Sequence, residues 1–261
     1  RGMRTIFFFF FVFGFGPLLL AQQKANVQPG VISVYQKGLQ GIGPDFGNNP
    51  ASENFYSQMR DKFAALGIEQ QLNLRDIEGS IYMNETFESG SILFKGQEDR
   101  KMFMRYNAFN DEFEIKNSNL KEDKTLALLK NQNISCMLNG HLYSYLILLD
   151  KKGERNQAYL KEIVSLGNYR LFERNKKLFK EGKPAKTSHS VSFPHRFVDE
   201  TNYYLVLDDA FPVYIPAKKK DFVALFSVEH QQEVKKFIKE KGIDLKTKRG
   251  LINVVTFAGN L

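Results

Sequence analysis

The chain has one cysteine and no tryptophan in 261 residues. A single cysteine excludes an internal disulfide framework, so stability must come from a packed core. Cys136 lies among Ile134, Met137 and Leu138 and reads as a small buried hydrophobe before a reactive thiol. Histidine is also scarce: His141, His189, His195 and His230. His189 and His195 flank Phe193-Pro194 at no standard zinc spacing, and no second cysteine supports them, so no metal or other cofactor is expected. Gly-x-Ser-x-Gly, His-Glu-x-x-His and a phosphate-cradling glycine loop are absent. So is any internal repeat of about 20–50 residues, which leaves a solenoid unsupported.

No apolar run reaches the roughly 20 residues that a bilayer crossing needs. The one long run, Ile6 to Leu20, includes Phe7 to Phe11 and is loosened by Gly14, Gly16 and Pro17. Arg1 and Arg4 precede it and Ala21-Gln22-Gln23 follows. That is the layout of a secretory signal peptide over 1–21, with Met3 as initiator, although Leu19 is large for the −3 position. The reading is export, to the periplasm or the outer membrane. The net charge is +8, or +6 once Arg1 and Arg4 depart. Its lysines cluster near turns and helices, as at Lys176-Lys177, Lys218 to Lys220 and Lys235-Lys236. They read as solvated faces with weak attraction to anionic membrane surfaces, and nucleic acid is not an expected partner.

Past the leader, residues 22–51 are rich in turn formers and read as a flexible lead-in, with a short strand at Val31 to Tyr35. Phe55, Met59, Phe63 and Leu66 then recur at helical spacing. This predicts an amphipathic helix over 52–67, capped by Ser52 and stopped by Gly67. Over 68–216 alternation and aromatic or β-branched residues dominate. Strands are expected at 91–94, 101–108, 112–116, 133–138, 142–149, 158–165, 169–175, 177–180, 191–193, 201–207 and 213–215. Asn110-Asp111, Asn139-Gly140, Lys152-Gly153 and Gly167-Asn168 supply turns. Residues 217–261 read as a helical cap: a short helix at Asp221 to Phe226, one capped by Ser227 and stopped by Gly242, and one capped by Thr247. The expected fold is α+β. An antiparallel β-meander, curved or folded into a sandwich, carries a short N-terminal helix and a small C-terminal helical cap.

Three blocks carry a family resemblance: Gly79-Ser80-Ile81-Tyr82 with Phe87 and Gly90 to Phe94; Arg105-Tyr106-Asn107 with Glu112 and Glu114; and Tyr203-Tyr204 through Lys219 to Phe222 into Ile238-Lys239 and the terminal helix. Over about residues 76–261 the chain resembles a group of exported proteins of Bacteroidota-type Gram-negative bacteria. Ile81 departs from the proline common in that group. The resemblance implies a β-rich body, a helical tail and export, and it implies no reaction.

Arg105, Tyr106, Asn107, Glu112 and Glu114 form the most suggestive polar set and are the candidate binding residues. With a hairpin turn at Asn110-Asp111, Arg105 and Glu114 face each other and pin the register. Asp208-Asp209 before Ala210-Phe211-Pro212 reads as a turn, and His141 and His230 as turn and solvated helix positions. The leading functional expectation is a non-enzymatic cell-envelope binding or scaffold protein with an envelope protein as partner. A second is a periplasmic carrier of a lipid or other apolar ligand, lined by Phe94, Met102, Met104 and Tyr106. A third is a hydrolase that would need residues such as Arg105, His195 and Asp208 to converge.

Overall fold

The computed structural model describes residues 77–182 and 193–261. The leader, the lead-in, the 52–67 helix, residues 68–76, His189 and the first residues of the 191–193 strand lie outside the described residues.

The described residues are strand-rich, with helices at the C-terminal end. The strands are β1 (Glu88–Phe94), β2 (Gln97–Asn107), β3 (Glu112–Lys116), β4 (Leu126–Ala127), β5 (Ile134–Leu138), β6 (His141–Leu149), β7 (Arg155–Leu166), β8 (Tyr169–Lys180), β9 (Arg196–Leu207) and β10 (Val213–Tyr214). All ten join one sheet in the order β10-β9-β8-β7-β6-β5-β1-β2-β3-β4.

This sheet is not the simple meander that alternation suggests. After β4 the chain returns to the other edge of β1, so β1 lies between β2 and β5. At the far end β10 runs parallel to β6 through Val213 and Leu149, and the Leu149 amide donates to the Pro212 carbonyl at 2.8 Å. That parallel pairing makes the sheet mixed and closes β6 to β10 on themselves. Alternation reports which face of a strand is buried and carries no record of which edge it will pair with. The expected break near Lys176 is also absent, because β8 runs unbroken for 12 residues.

The tight turns follow local chemistry. Lys95-Gly96 (φ 51° and 79°) joins β1 to β2, and Asn139-Gly140 (φ 52° and 73°) joins β5 to β6. Two successive left-handed residues match the twist of the flanking strands. The faces they set in register bury two apolar clusters. Ile92, Met102, Met104, Tyr106, Phe113, Ile115 and Cys136 form one, between β1, β2, β3 and β5. Burial there pushes the Cys136 thiol well above its ordinary range. Leu148, Ala158, Leu160, Phe172, Tyr204 and Val206 form the other, inside the closed part of the sheet.

Helices α1 (Lys219–Val223), α2 (Gln231–Glu240) and α3 (Lys248–Gly259) pack on the opposite face of β7 to β9. Val234 and Ile238 from α2 and Leu251, Val254 and Val255 from α3 meet Tyr169, Leu171 and Leu205. Thr247 caps α3 by accepting from the Gly250 amide at 3.1 Å. Ser227 does not cap α2, which begins at Gln231 with His230 as N-cap. The Ser227 hydroxyl is instead 2.9 Å from the Tyr169 hydroxyl, where a buried strand residue needs a polar partner.

The end of α3 is locked to the β7–β8 turn by two glycines. A Cβ on Gly167 would stand 2.5 Å from the Gly259 carbonyl oxygen, and one on Gly259 would stand 2.5 Å from that of Leu166. In an open helix Gly→Ala stabilises by about 1 kcal/mol. Here the backbone must move, and Gly259→Ala is expected to cost about 1–3 kcal/mol, read as a lower urea midpoint.

A second lock is ionic. Glu173 on β8 pairs with Lys161 on β7, with Lys248 of α3 at 2.8 Å, and accepts from Asn175 at 2.9 Å. Burial acts to raise the Glu173 carboxyl, but hydrogen bonds from Lys161, Lys248 and Asn175 overcome it and hold the group down at about 2. A carboxyl depressed on folding contributes stability above its unfolded pKa, and that contribution fades as pH falls toward the folded one. The expected loss on acidification from about pH 6 to about pH 2.5 is on the order of 2–3 kcal/mol from this group. Urea titrations of the protein and of Glu173→Gln, which should lack that share of the loss, check it.

Between β7 and β8 the sheet forks. Their ladder runs only from Leu166–Tyr169 to Lys161–Glu173, after which β7 continues beside β6 and β8 beside β9. The tip of the β2–β3 hairpin fills the fork. The Ala108 carbonyl accepts from the Lys177 amide at 3.0 Å, and the Asp111 carboxylate accepts from the Tyr159 amide at 3.2 Å and 3.3 Å. Backbone donors left by the divergence thereby regain acceptors.

Candidate functional site

The candidate binding residues Arg105 to Asn107 end β2, and Glu112 and Glu114 begin β3. The hairpin pairs Arg105 with Glu114, Tyr106 with Phe113 and Asn107 with Glu112. Arg105 and Glu114 therefore project from the same face. The guanidinium donates through Nε to Glu114 Oε2 at 2.8 Å, through Nη2 to the Tyr82 hydroxyl at 2.8 Å and through Nη1 to the Glu85 carbonyl at 2.9 Å. Its Cζ lies 3.7 Å from the Tyr82 ring centroid and 4.4 Å from that of Phe87. The segment before β1 thus forms a lid over the hairpin, and cation–π contact adds to the ion pair.

Glu114 is fully buried, and its other oxygen accepts from the Tyr82 hydroxyl at 3.1 Å and lies 3.5 Å from the Asn107 amide nitrogen. Asn107, also fully buried, accepts from the Phe109 and Asn110 amides and so holds the turn. Burial, together with the Glu114 charge, pushes the Tyr82 hydroxyl well above its ordinary range, so it stays a donor. This constellation fixes backbone geometry. A charged side chain committed to three acceptors and two rings presents little to an incoming ligand.

The remaining two candidates face other surroundings. Tyr106 points into the core and donates to Asp111; burial, reinforced by the Asp111 charge, raises its hydroxyl far above the usual range. Glu112 is 3.6 Å from the Lys130 ammonium, which itself donates to the Asn110 carbonyl at 3.0 Å. Burial pushes the Glu112 carboxyl up, with Lys130 pulling against it. Tyr82, Phe87, Asp111 and Arg174 also shape this region, although no pattern of residue types joins them. Asp111 had one readable signal, as a turn aspartate able to take a left-handed backbone, here φ 56°.

Arg105, His195 and Asp208 do not converge. Asp208 follows Leu207, the partner of Tyr169, while His195 precedes Arg196, the partner of Lys180. The two thus sit at opposite ends of a 12-residue ladder, roughly 35–40 Å apart. His195 Nδ1 accepts from the Gly182 amide at 3.0 Å and its ring stacks on Phe179. His230 is not simply solvated, because its Nδ1 lies 2.9 Å from the Tyr169 hydroxyl. His141 opens β6 and is exposed. Of the expected carrier lining, Met102, Met104 and Tyr106 are packed in the core and Phe94 alone is exposed.

No helix among the described residues is long and apolar enough to cross a membrane, and no group of three or more His, Cys, Asp or Glu there is arranged to hold a metal ion. Comparison with protein-family models, curated proteins and solved structures finds no match to this chain.

Proposed function

We propose that this is an exported cell-envelope protein that binds or scaffolds another envelope protein without chemically changing it. The export part rests on the leader-like 1–21 segment and on the resemblance to the Bacteroidota-type exported group. The binding part rests on one observation: the outward face of β1, β5 and β6 carries apolar side chains where water would favour polar ones. Met137 is 36% exposed, and its register neighbours are Ser91 on β1 and Leu142 on β6. Leu93 follows along the same face of β1, and Leu93 and Leu142 are both half-buried. Apolar groups interleaved with small serines on a hydrogen-bonded sheet suit contact with another protein surface.

The carrier reading draws less support, because the methionines and tyrosine it needs are spent on internal packing. A pulldown from an envelope fraction, with mass spectrometry of proteins and lipids, separates the two. One protein recovered in stoichiometric amount, and lost with Met137→Lys, is the expected result. Lipid recovered without protein would favour the carrier.

A further inference from the structure

A hollow of about 280 Å³ opens where the β7–β8 turn meets the β9–β10 connection, lined by Ser165, Gly167, Asn168, Arg170, Asp208 and Asp209. We propose that it binds a neutral, hydroxyl-rich ligand of the size of one sugar ring. This inference does not depend on the protein partner proposed above.

The first reason is the chemistry of the lining. Arg170 and two carboxylates share the hollow, yet the only hydrogen bond of the guanidinium to another described residue runs from Nη2 to the Asp208 backbone carbonyl, at 3.3 Å. The side chains of Ser165, Asn168, Asp208 and Asp209 make no hydrogen bond to other described residues. Donors and acceptors thus stand around one space without consuming each other. An anion entering it would meet Asp208 and Asp209, and a cation would meet Arg170. A sugar hydroxyl donates and accepts at once, so a polyol can satisfy both sets with no like-charge contact.

The second reason is that the hollow is built rigidly. The Asp208 amide donates to the Asn168 carbonyl at 2.8 Å, tying the two connections together. Asp208 holds a left-handed φ of 53°, which aspartate tolerates better than most residues. Beneath, the Gly167–Gly259 contact allows no side chain between turn and helix. A backbone frame set before a ligand arrives leaves only side chains to order on binding. Because the hollow is open to water, binding should be weak, in the millimolar range.

The test is a ¹H–¹⁵N NMR titration of the purified protein with glucose, galactose and N-acetylglucosamine, each used separately. The expected result is saturable shifts confined to the amides of Asn168, Arg170 and Asp208 to Ala210 with at least one sugar. Asp209→Asn and Arg170→Gln, exposed or partly exposed substitutions, should each weaken that response on the order of tenfold. Three outcomes would overturn the proposal: no saturable response to any of the sugars, the same response to glycerol, or a response only to inorganic phosphate or ethylammonium.

Discussion

Asp111→Ala is expected to destabilise the protein by about 3–5 kcal/mol, seen as a large fall in urea midpoint with little change in slope. One short side chain serves three partners from three strands: it accepts from the Tyr159 amide on β7, accepts from the Tyr106 hydroxyl on β2 and lies 3.5 Å from Arg174 Nη2 on β8. Alanine would leave a backbone donor, a buried phenol and a mostly buried guanidinium without their acceptor at once. Each loss costs on the order of 1–3 kcal/mol where water cannot replace the partner. Alanine would also have to hold the left-handed backbone of position 111. Asp111→Asn separates these effects. It keeps one acceptor and a residue that tolerates the conformation, while it removes the charge facing Arg174 and turns the second acceptor oxygen into a donor. Its expected cost is roughly half that of alanine. If both variants unfold at the midpoint of the parent protein, the hairpin tip does not hold the fork together.

That fork marks where sequence reading stops. The strands, most of their turns and the helical cap follow from short-range rules: alternation for β2, Asn139-Gly140 for the β5–β6 hairpin, Thr247 for the start of α3. The β2–β3 hairpin follows too, but not its register: a two-residue turn at Asn110-Asp111 would set Arg105 against Lys116, and it is the four-residue loop 108–111 that sets it against Glu114. What local rules cannot carry is the meeting of distant edges. Nothing in the sequence near Leu142 to Leu149 announces that β10 will dock beside it in parallel. Nothing near Tyr159 announces an aspartate 48 positions earlier in the chain. The same limit applies to the polar candidates. Residue types identified Arg105 as noteworthy, but Tyr82 and the Glu85 carbonyl, 23 and 20 positions away, consume its donors. Ser227 failed as a cap for a related reason: the buried Tyr169 on β8 competes for its hydroxyl.

Glu114→Leu alone should be as damaging as the loss of Asp111, while the double variant Arg105→Met/Glu114→Leu should recover most of the loss. In the parent protein the carboxylate is fully buried and the guanidinium nearly so, at 0% and 14% side-chain exposure. Removing the acid leaves a cation with two donors aimed at a methyl group, and such orphaned buried charges cost about 3–5 kcal/mol. Removing both charges replaces an expensive desolvated pair with apolar volume between the Tyr82 and Phe87 rings, which is often neutral or better. The Tyr82 hydroxyl is the complication, since it donates to Glu114 and would lose its acceptor in either variant. Adding Tyr82→Phe removes that remaining donor, so the triple variant should equal or exceed the double one in stability. A double-mutant cycle on positions 105 and 114 reads the coupling directly, with an expected value of at least about 3 kcal/mol. A coupling near zero would mean that Arg105 is held by its stacking and its bond to the Glu85 carbonyl.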